Sequence, residues 1–210
     1  MATVTQKILY LASANPGKVR EFSEAARELE IVVEPVPGIR SLPPCVEDGA
    51  TFEENARKKA LHYSAYVKGW VFADDSGISV DALGGAPGVH SARYAGPEAT
   101  DAANNAKLLA ALGHVESGRK PAPRRDAHYV CVIALANSGR IQTVVEGRAD
   151  GIILDTPRGS GGFGYDPYFY YPPLGKTFAE LTLEEKFSVS HRGKAFRGLL
   201  DYLERSGWGD

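Results

Sequence analysis

The beginning of the chain has a strand-turn-helix pattern, which restricts the possible folds more than any other feature. The apolar run at residues 7–12 predicts a buried strand. In the turn that follows, Asn15 suits the N-cap of a helix and Pro16 suits its first position. The apolar residues after the turn then recur at helical spacing: Val19, Phe22, Ala26 and Leu29.

Helices and strands continue to alternate, and a pair of strands follows later in the chain. Further strands are predicted at residues 31–36, 70–73, 128–136 and 141–149, the last two joined by Asn137-Ser138-Gly139. Helices are predicted from a capping box at Thr51, at residues 100–112 before a polar loop at 113–125, and after Ser190. This order predicts an α/β fold with a mixed β-sheet, in a single domain spanning residues 1–210.

The composition of the chain indicates which kinds of partner the protein binds and in which compartment it lies. Lys and Arg total 24 against 26 Asp and Glu, so a net charge of −2 predicts no general affinity for nucleic acid. Two distant cysteines, Cys45 and Cys131, fit a reducing compartment, and no segment approaches the roughly 20 apolar residues that span a bilayer. We therefore expect a cytoplasmic protein without a membrane partner. One basic cluster is interpreted as a solvated loop, with a binding patch as the alternative: Arg119, Lys120, Arg124 and Arg125.

The first strand-to-helix turn, residues 13–18, is suited to an anion. The unpaired N–H groups and the positive dipole end of the helix favour negative charge, and Lys18 adds a full positive charge. The turn is not a P-loop, because Lys18 is followed by Val19. The alternative is an ordinary capped helix with a surface lysine.

Carboxylates in two segments suit a hard cation. Asp74 and Asp75 follow the strand at residues 70–73 and precede Ser76-Gly77, and Glu47 precedes the start of the second helix. A few carboxylate oxygens, with waters and phosphate oxygens, are what Mg²⁺ requires. The alternative is an acidic turn after a buried strand together with a solvated loop carboxylate.

A glycine-rich segment at residues 159–164 matches GxGxxG literally, but no helix follows it, as a dinucleotide site would need. We interpret it as a mobile loop that presents Phe163 for stacking on a base and Asp166 as an acceptor for N–H groups of the base. A glycine-rich turn with a core phenylalanine is the alternative.

Cationic side chains surround the predicted start of the last helix. His191, Arg192 and Lys194 lie there, with Lys186 just upstream, although cations oppose the dipole at that end. An anionic or carbonyl-bearing ligand would explain them. The alternative is a structural histidine.

Taken in order, five motif regions resemble the inosine triphosphate pyrophosphatase family over nearly the whole chain. They are SANPGK, EDGATFEENA, ADDSG with GGAPGVHSARYAG, GGFGYDP and EEKFSVSHRGKA. The resemblance implies hydrolysis of ITP, dITP and XTP to the monophosphate and pyrophosphate with Mg²⁺. It also implies an elongated mixed sheet flanked by helices, two lobes with a nucleotide cleft between them, and a homodimer.

The resemblance also implies roles for individual residues. Glu47 and Asp75 would bind the metal, Asp75 would also act as the base for the attacking water, and Ser76 would contact the substrate. The triphosphate would be held by Ser13, Ala14, Asn15, Pro16, Gly17 and Lys18. The base would be held by Phe163, Gly164, Tyr165, Asp166, Lys186, His191 and Arg192.

Two other functions remain open from the sequence. One is a pyrophosphatase acting on canonical or modified pyrimidine nucleotides, which a substrate panel separates. The other is a nucleotide-binding regulatory module without catalysis. The set of Glu47, Asp74 and Asp75 argues against it, since a pure binder has no need for a water-activating carboxylate.

Overall fold

The computed structural model describes residues 7–27, 29, 31–118 and 124–208, which form a seven-stranded sheet with flanking helices. The strands are β1 (Lys7–Leu11), β2 (Ile31–Pro35), β3 (Trp70–Val80), β4 (Asp126–Asn137), β5 (Arg140–Ile153), β6 (Phe169–Tyr171) and β7 (Lys176–Thr177). The helices are α1 (Pro16–Ala25), α2 (Phe52–Ser64), α3 (Asp101–Ser117), α4 (Leu183–Val189) and α5 (His191–Arg205).

The sheet is mixed, as predicted. Its strand order is β2-β1-β3-β4-β5-β6-β7. Strand β1 pairs in parallel with β2 and with β3, whereas β6 pairs antiparallel with β5 and with β7. The α/β class expected from the alternating elements is therefore confirmed.

The described residues divide into two compact units. The first draws on Met1–Asp75, Cys131–Gly147 and Arg192–Asp210, and the second on Ser76–Val130 and Arg148–His191. In the first unit, the rings of Phe22, Phe72 and Phe196 pack with centroids 5.1–5.9 Å apart. In the second, the rings of Tyr129, Phe169 and Phe178 pack with centroids 4.7–5.8 Å apart. Each unit thus has its own aromatic core.

Strand β3 differs from its prediction. The sequence indicated a strand ending at Ala73 with Asp74 and Asp75 in a turn, but β3 continues through both aspartates to Val80. All of β3 except Trp70 and Ser76 is buried, so tertiary packing outweighs the low strand propensity of Asp, Ser and Gly.

Several element boundaries follow local chemistry. The predicted strand pair is confirmed as β4 and β5, joined by Ser138 (φ 49°) and Gly139 (φ 72°), the positive φ pair of a tight hairpin turn. Helix α3 was predicted to end at Leu112 but continues to Ser117, because Gly113 costs only about 1 kcal/mol inside a helix. Of the predicted basic cluster, Arg119 and Lys120 lie outside the described residues.

Helix starts agree with the predicted caps. Thr51 Oγ1 accepts from Glu54 N at 3.1 Å, while the Glu54 carboxylate accepts from Ala50 N rather than from Thr51 N, so the predicted capping box is only half formed. Among the described residues, no helix is both long and apolar enough to cross a bilayer.

The two thiols are expected to differ sharply in reactivity. Cys131 in β4 is fully buried, and burial raises its pKa well above the usual range, whereas Cys45 is half-buried. In the folded protein, N-ethylmaleimide should label Cys45 alone, and Cys131 only after denaturation, as read by intact mass. Cys45→Ser should abolish labelling of the folded protein, and rapid labelling of Cys131 would contradict this packing.

Candidate active site

The turn before α1 has the predicted cap. Asn15 Oδ1 accepts from Lys18 N at 3.1 Å, and Asn15 N donates to Ser13 Oγ at 3.2 Å. Ala14, Asn15 and Pro16 are exposed, so the start of α1 lies at the surface. Its remaining first-turn N–H groups form the type of terminus that binds anions.

A network of ion pairs lies behind this turn in the first unit. Lys18 Nζ lies 2.8 Å from Asp74 Oδ2, and Arg192 Nε lies 3.7 Å from the same oxygen. Arg192 Nη1 also donates to Glu21 Oε2 at 2.8 Å, with both side chains 6% exposed. Lys18 and Glu21 lie on one face of α1, three residues apart. The network therefore ties α1 and α5 to strand β3.

Asp74 is fully buried, yet it remains ionised. Burial by itself would raise the pKa of Asp74, but the charges of Lys18, Arg192 and Lys59 outweigh burial and hold that pKa below its ordinary value. Asp74 therefore carries the negative charge that neutralises Lys18 and Arg192.

The neighbouring Asp75 belongs to a second cluster, formed with α2. Asn55 Nδ2 donates to Asp75 Oδ2 at 3.1 Å, and Lys59 Nζ lies 3.9 Å from Asp75 Oδ1. Lys59 Nζ also donates to Glu47 Oε2 at 2.6 Å. Two of the predicted carboxylates, Glu47 and Asp75, therefore converge on one ammonium group.

The pKa of Asp75 is shifted in the opposite direction from that of Asp74. Burial raises the pKa of Asp75, and Glu47 adds to the rise, while Lys59, Lys18 and the Asn55 hydrogen bond reduce it without cancelling it. A carboxylate with a raised pKa is a stronger base than an ordinary aspartate, which suits it to accept a proton.

Strand geometry explains why adjacent aspartates have different partners. Successive strand side chains point to opposite faces of a sheet. Asp74 faces α1 and α5, and Asp75 faces α2. The ion pairs of Asp74 with Lys18 and Arg192 therefore differ from those of Glu47 and Asp75, which share Lys59.

The donors at Glu47 and Asp75 fit a hard cation. Their oxygens already converge on the charge of Lys59, and carboxylate oxygen is the donor type that Mg²⁺ takes. Within the described ranges, no three His, Cys, Asp or Glu side chains are grouped to hold a metal by themselves. Mg²⁺ sites commonly use one or two carboxylates, with waters and substrate phosphates completing the shell.

A second polar site lies in the second unit, around Asp166. Lys186 Nζ donates to Asp166 Oδ2 at 2.6 Å, with side chains 4% and 3% exposed. The same oxygen accepts from Phe163 N at 2.8 Å, and Tyr129 Oη donates to Asp166 Oδ1 at 3.4 Å. The predicted residues Phe163, Asp166 and Lys186 are thus brought together.

Aromatic rings surround this pair. Lys186 Nζ lies 5.0 Å from the centre of the Phe163 ring. The His191 ring stacks on Tyr129 with centroids 4.5 Å apart and planes 6° from parallel. The site therefore combines a charge pair with flat apolar surfaces.

The glycine-rich segment, residues 159–164, makes specific contacts with neighbouring backbone and side chains. Gly161 N donates to Ala179 O at 3.0 Å, and any side chain at Gly159 would clash with the backbone of Ala179. Gly162 has φ of +69° and lies directly against the Asp166 carboxylate, so only glycine fits there.

Three other predicted residues have informative positions. Tyr165 is buried and its hydroxyl donates to Ser91 O at 2.7 Å, an anchoring contact. Ser76 is half-buried within β3. Arg192 pairs with Glu21 and Asp74 in the first unit, whereas Lys186 and His191 belong to the second. The cationic cluster inferred from the sequence is thus divided between the two units.

Four contributing residues escaped the sequence analysis: Glu21, Asn55, Lys59 and Tyr129. The helical spacing of Glu21 from Lys18, and of Lys59 from Asn55, placed each pair on one helix face. Tyr129 lies in an apolar strand run that gives no such signal.

These features define an α/β protein with a carboxylate-rich site at a helix start and an aromatic site built on a buried Asp–Lys pair. Residues 9–202 match the Ham1 family. The chain belongs to the Ham1 family, which confirms the resemblance found in the motifs.

Named relatives and a solved structure are similar to this chain over most of its length. The dITP/XTP pyrophosphatase of Syntrophobacter fumaroxidans is 52% identical over 90% of this chain and 78% of its own. That of Geobacillus kaustophilus is 49% identical over 94% and 95%. The HAM1 protein of Coxiella burnetii superposes with a TM-score of 0.82 at 41% identity, over 95% of this chain and 99% of its own.

Proposed function

We propose that this protein hydrolyses non-canonical purine nucleoside triphosphates, namely ITP, dITP and XTP, to the monophosphate and pyrophosphate with Mg²⁺. The observation that carries the proposal is the similarity to relatives named dITP/XTP pyrophosphatases, about half identical over nine-tenths of the chain. The resemblance further supports a homodimer, and the charge balance and cysteine content support a cytoplasmic protein that binds neither nucleic acid nor membrane.

The turn at residues 13–18 and the carboxylate cluster behind it are assigned the triphosphate. Helix-start N–H groups at residues 13–18 and the Lys18 ammonium group would contact phosphate oxygens. The charged side chains there include one more carboxylate than cations: Lys18, Lys59 and Arg192 against Glu21, Glu47, Asp74 and Asp75. That balance alone would repel a triphosphate. Mg²⁺ held by Glu47 and Asp75 would supply the missing positive charge and polarise the phosphoryl group.

Asp75 is assigned the proton transfer. Its carboxylate is oriented by Asn55 and has a pKa raised by burial, which favours its accepting a proton from the water that attacks the α-phosphorus. Lys59 keeps the Glu47 and Asp75 carboxylates close together. These groups are held in place before the reaction, which is the condition for efficient catalysis.

The polar site around Asp166 is assigned the purine base. Lys186 can donate to a 6-keto oxygen, Asp166 can accept from base N–H groups, and Phe163 offers a stacking surface. The 6-amino group of adenine would face the ammonium group without an acceptor. One unpaired buried polar group costs about 1–3 kcal/mol, roughly 5- to 150-fold in selectivity.

Product analysis tests the reaction type. Incubation of dITP with the protein and Mg²⁺ should yield dIMP and pyrophosphate in equal amounts, and EDTA should stop the reaction. Ion-exchange chromatography separates these products. Release of dIDP and phosphate would contradict the proposal, and binding of dITP without turnover would favour the regulatory module.

Lys18→Ala should weaken binding of ITP far more than binding of inosine, because only ITP carries the phosphates that Lys18 would contact. Titration calorimetry with both ligands, in EDTA so that ITP is not hydrolysed, measures this difference. Arg20→Ala is the matched control, since Arg20 is an exposed cation on the same helix and should change neither affinity. Equal losses for ITP and inosine would show that Lys18 is not at the phosphates.

A further inference from the structure

The turn that carries Phe163 and Asp166 is attached to the first turns of α3. Asp101 Oδ2 accepts from Gly164 N at 2.7 Å, and Asn105 Nδ2 donates to Gly164 O at 2.9 Å. Asn105 Nδ2 also donates to Asp101 O at 2.8 Å, which links Asn105 to Asp101. Two side chains one helical turn apart therefore hold both polar backbone groups of a single glycine.

The orientation of the Asn105 amide follows from its neighbours. Both groups that it contacts are carbonyl oxygens, which accept only, so the NH₂ end must face them. Asn105 is buried, whereas Asp101 is exposed at the start of α3. Of the two residues that hold Gly164, Asn105 is therefore buried, whereas Asp101 can be substituted at the surface.

Gly164 lies next to the residues whose positions determine the geometry of the site around Asp166. Gly164 has φ of +64° and directly follows Phe163, whose N–H donates to the Asp166 carboxylate that also accepts from Lys186. Fixing Gly164 N and O fixes the two peptide planes on either side of it. A shift of about 1 Å in such a site is enough to cost roughly 100-fold in rate.

We propose that Asp101 and Asn105 are positioning residues that determine base selectivity by clamping Gly164. The inference rests on the proposed function, because it assigns the turn at residues 163–166 to the purine base. Neither residue touches the substrate in this account. They act by holding Phe163 and Asp166 at fixed distances from Lys186.

Four variants test the clamp. Asp101→Ala and Asn105→Ala each remove one hydrogen bond to Gly164. Asp101→Asn loses the same charge as Asp101→Ala but keeps an oxygen that can accept from Gly164 N, so the difference between them isolates the hydrogen bond. Asn104→Ala is the matched control: Asn104 is adjacent and equally buried, but it hydrogen-bonds to Ala92 O and Ala95 N.

Binding of IMP and of inorganic tripolyphosphate separates base from phosphate recognition. Asp101→Ala and Asn105→Ala should raise the Kd for IMP about tenfold or more and change the Kd for tripolyphosphate less than about twofold. The ratio of kcat/KM for dITP to that for dATP should fall about tenfold. Asp101→Asn should restore most of the loss, and Asn104→Ala should retain wild-type selectivity.

Parallel losses for both ligands, or the same loss in Asn104→Ala, would assign these residues to general stability and overturn the clamp. Unchanged selectivity in Asp101→Ala, which alters an exposed side chain, would also overturn it. Failure of the wild type to release pyrophosphate from dITP would contradict the proposed function instead, and the comparison of IMP with tripolyphosphate would still decide the clamp.

Discussion

Asp75→Asn should lower kcat for dITP by about 10²–10⁴-fold, the range expected for loss of a general base. The substitution keeps the shape of the side chain but removes the negative charge proposed to bind Mg²⁺ and to accept the proton. Steady-state pyrophosphate release, with thermal unfolding as a check on folding, measures the effect. A variant that retains more than about a tenth of wild-type activity would exclude this role.

The Asp75→Asn protein should remain folded for a structural reason. An asparagine oxygen can still accept from Asn55 Nδ2, and Lys59 keeps its ion pair with Glu47 at 2.6 Å, so no buried charge loses its only partner. Asp48→Asn is the matched control. Asp48 is adjacent to Glu47 in sequence but largely exposed and paired with Lys58, so its amide variant should keep full activity.

Arg192→Met should destabilise the protein by about 3–5 kcal/mol, because it removes the buried cation that donates a hydrogen bond to the buried Glu21 carboxylate. Chemical denaturation at neutral pH measures the free energy of unfolding. The double variant Glu21→Met/Arg192→Met should recover most of the loss, since replacing both members of a buried pair by apolar side chains is often neutral. Equal stability of the single and double variants would contradict the account of this pair.

The position of Arg192 also changes the expectation for selectivity. The family resemblance placed Arg192 among the residues that hold the base, in which case its loss would lower the ITP-to-ATP ratio. Its observed contacts include ion pairs with Glu21 and Asp74 in the first unit. We now expect its loss to lower turnover of both substrates in parallel, with selectivity depending on Lys186 and Asp166.

Local signals were sufficient for much of the fold. The Asn15 cap, the positive φ pair in the β4–β5 turn and the alternation of helices with strands all act over a few residues, and each was predictable. The length of β3 was not, because the burial of Asp74 and Asp75 depends on helices distant in sequence.

The candidate site was likewise predictable from the sequence only in part. Glu47, Asp75, Asp166 and Lys186 stood out by residue type and motif, and the structure places them in two polar clusters. Which carboxylate pairs with which cation could not be read from the sequence. Lys18 pairs with Asp74 across the α1–β3 contact, Lys59 of α2 pairs with Glu47 in the preceding loop, and Arg192 of α5 pairs with Glu21 of α1, so these pairings depend on tertiary packing.

A substrate panel determines whether the protein selects non-canonical purine nucleotides. Pyrophosphate release should be measured with Mg²⁺ for dITP, XTP, ITP, dGTP, dATP and the pyrimidine triphosphates, and expressed as kcat/KM. We expect the inosine and xanthosine nucleotides to exceed dATP by roughly 5- to 150-fold, the discrimination that one unpaired polar group provides. Preference for a pyrimidine triphosphate, or no hydrolysis of any member of the panel, would contradict the assignment.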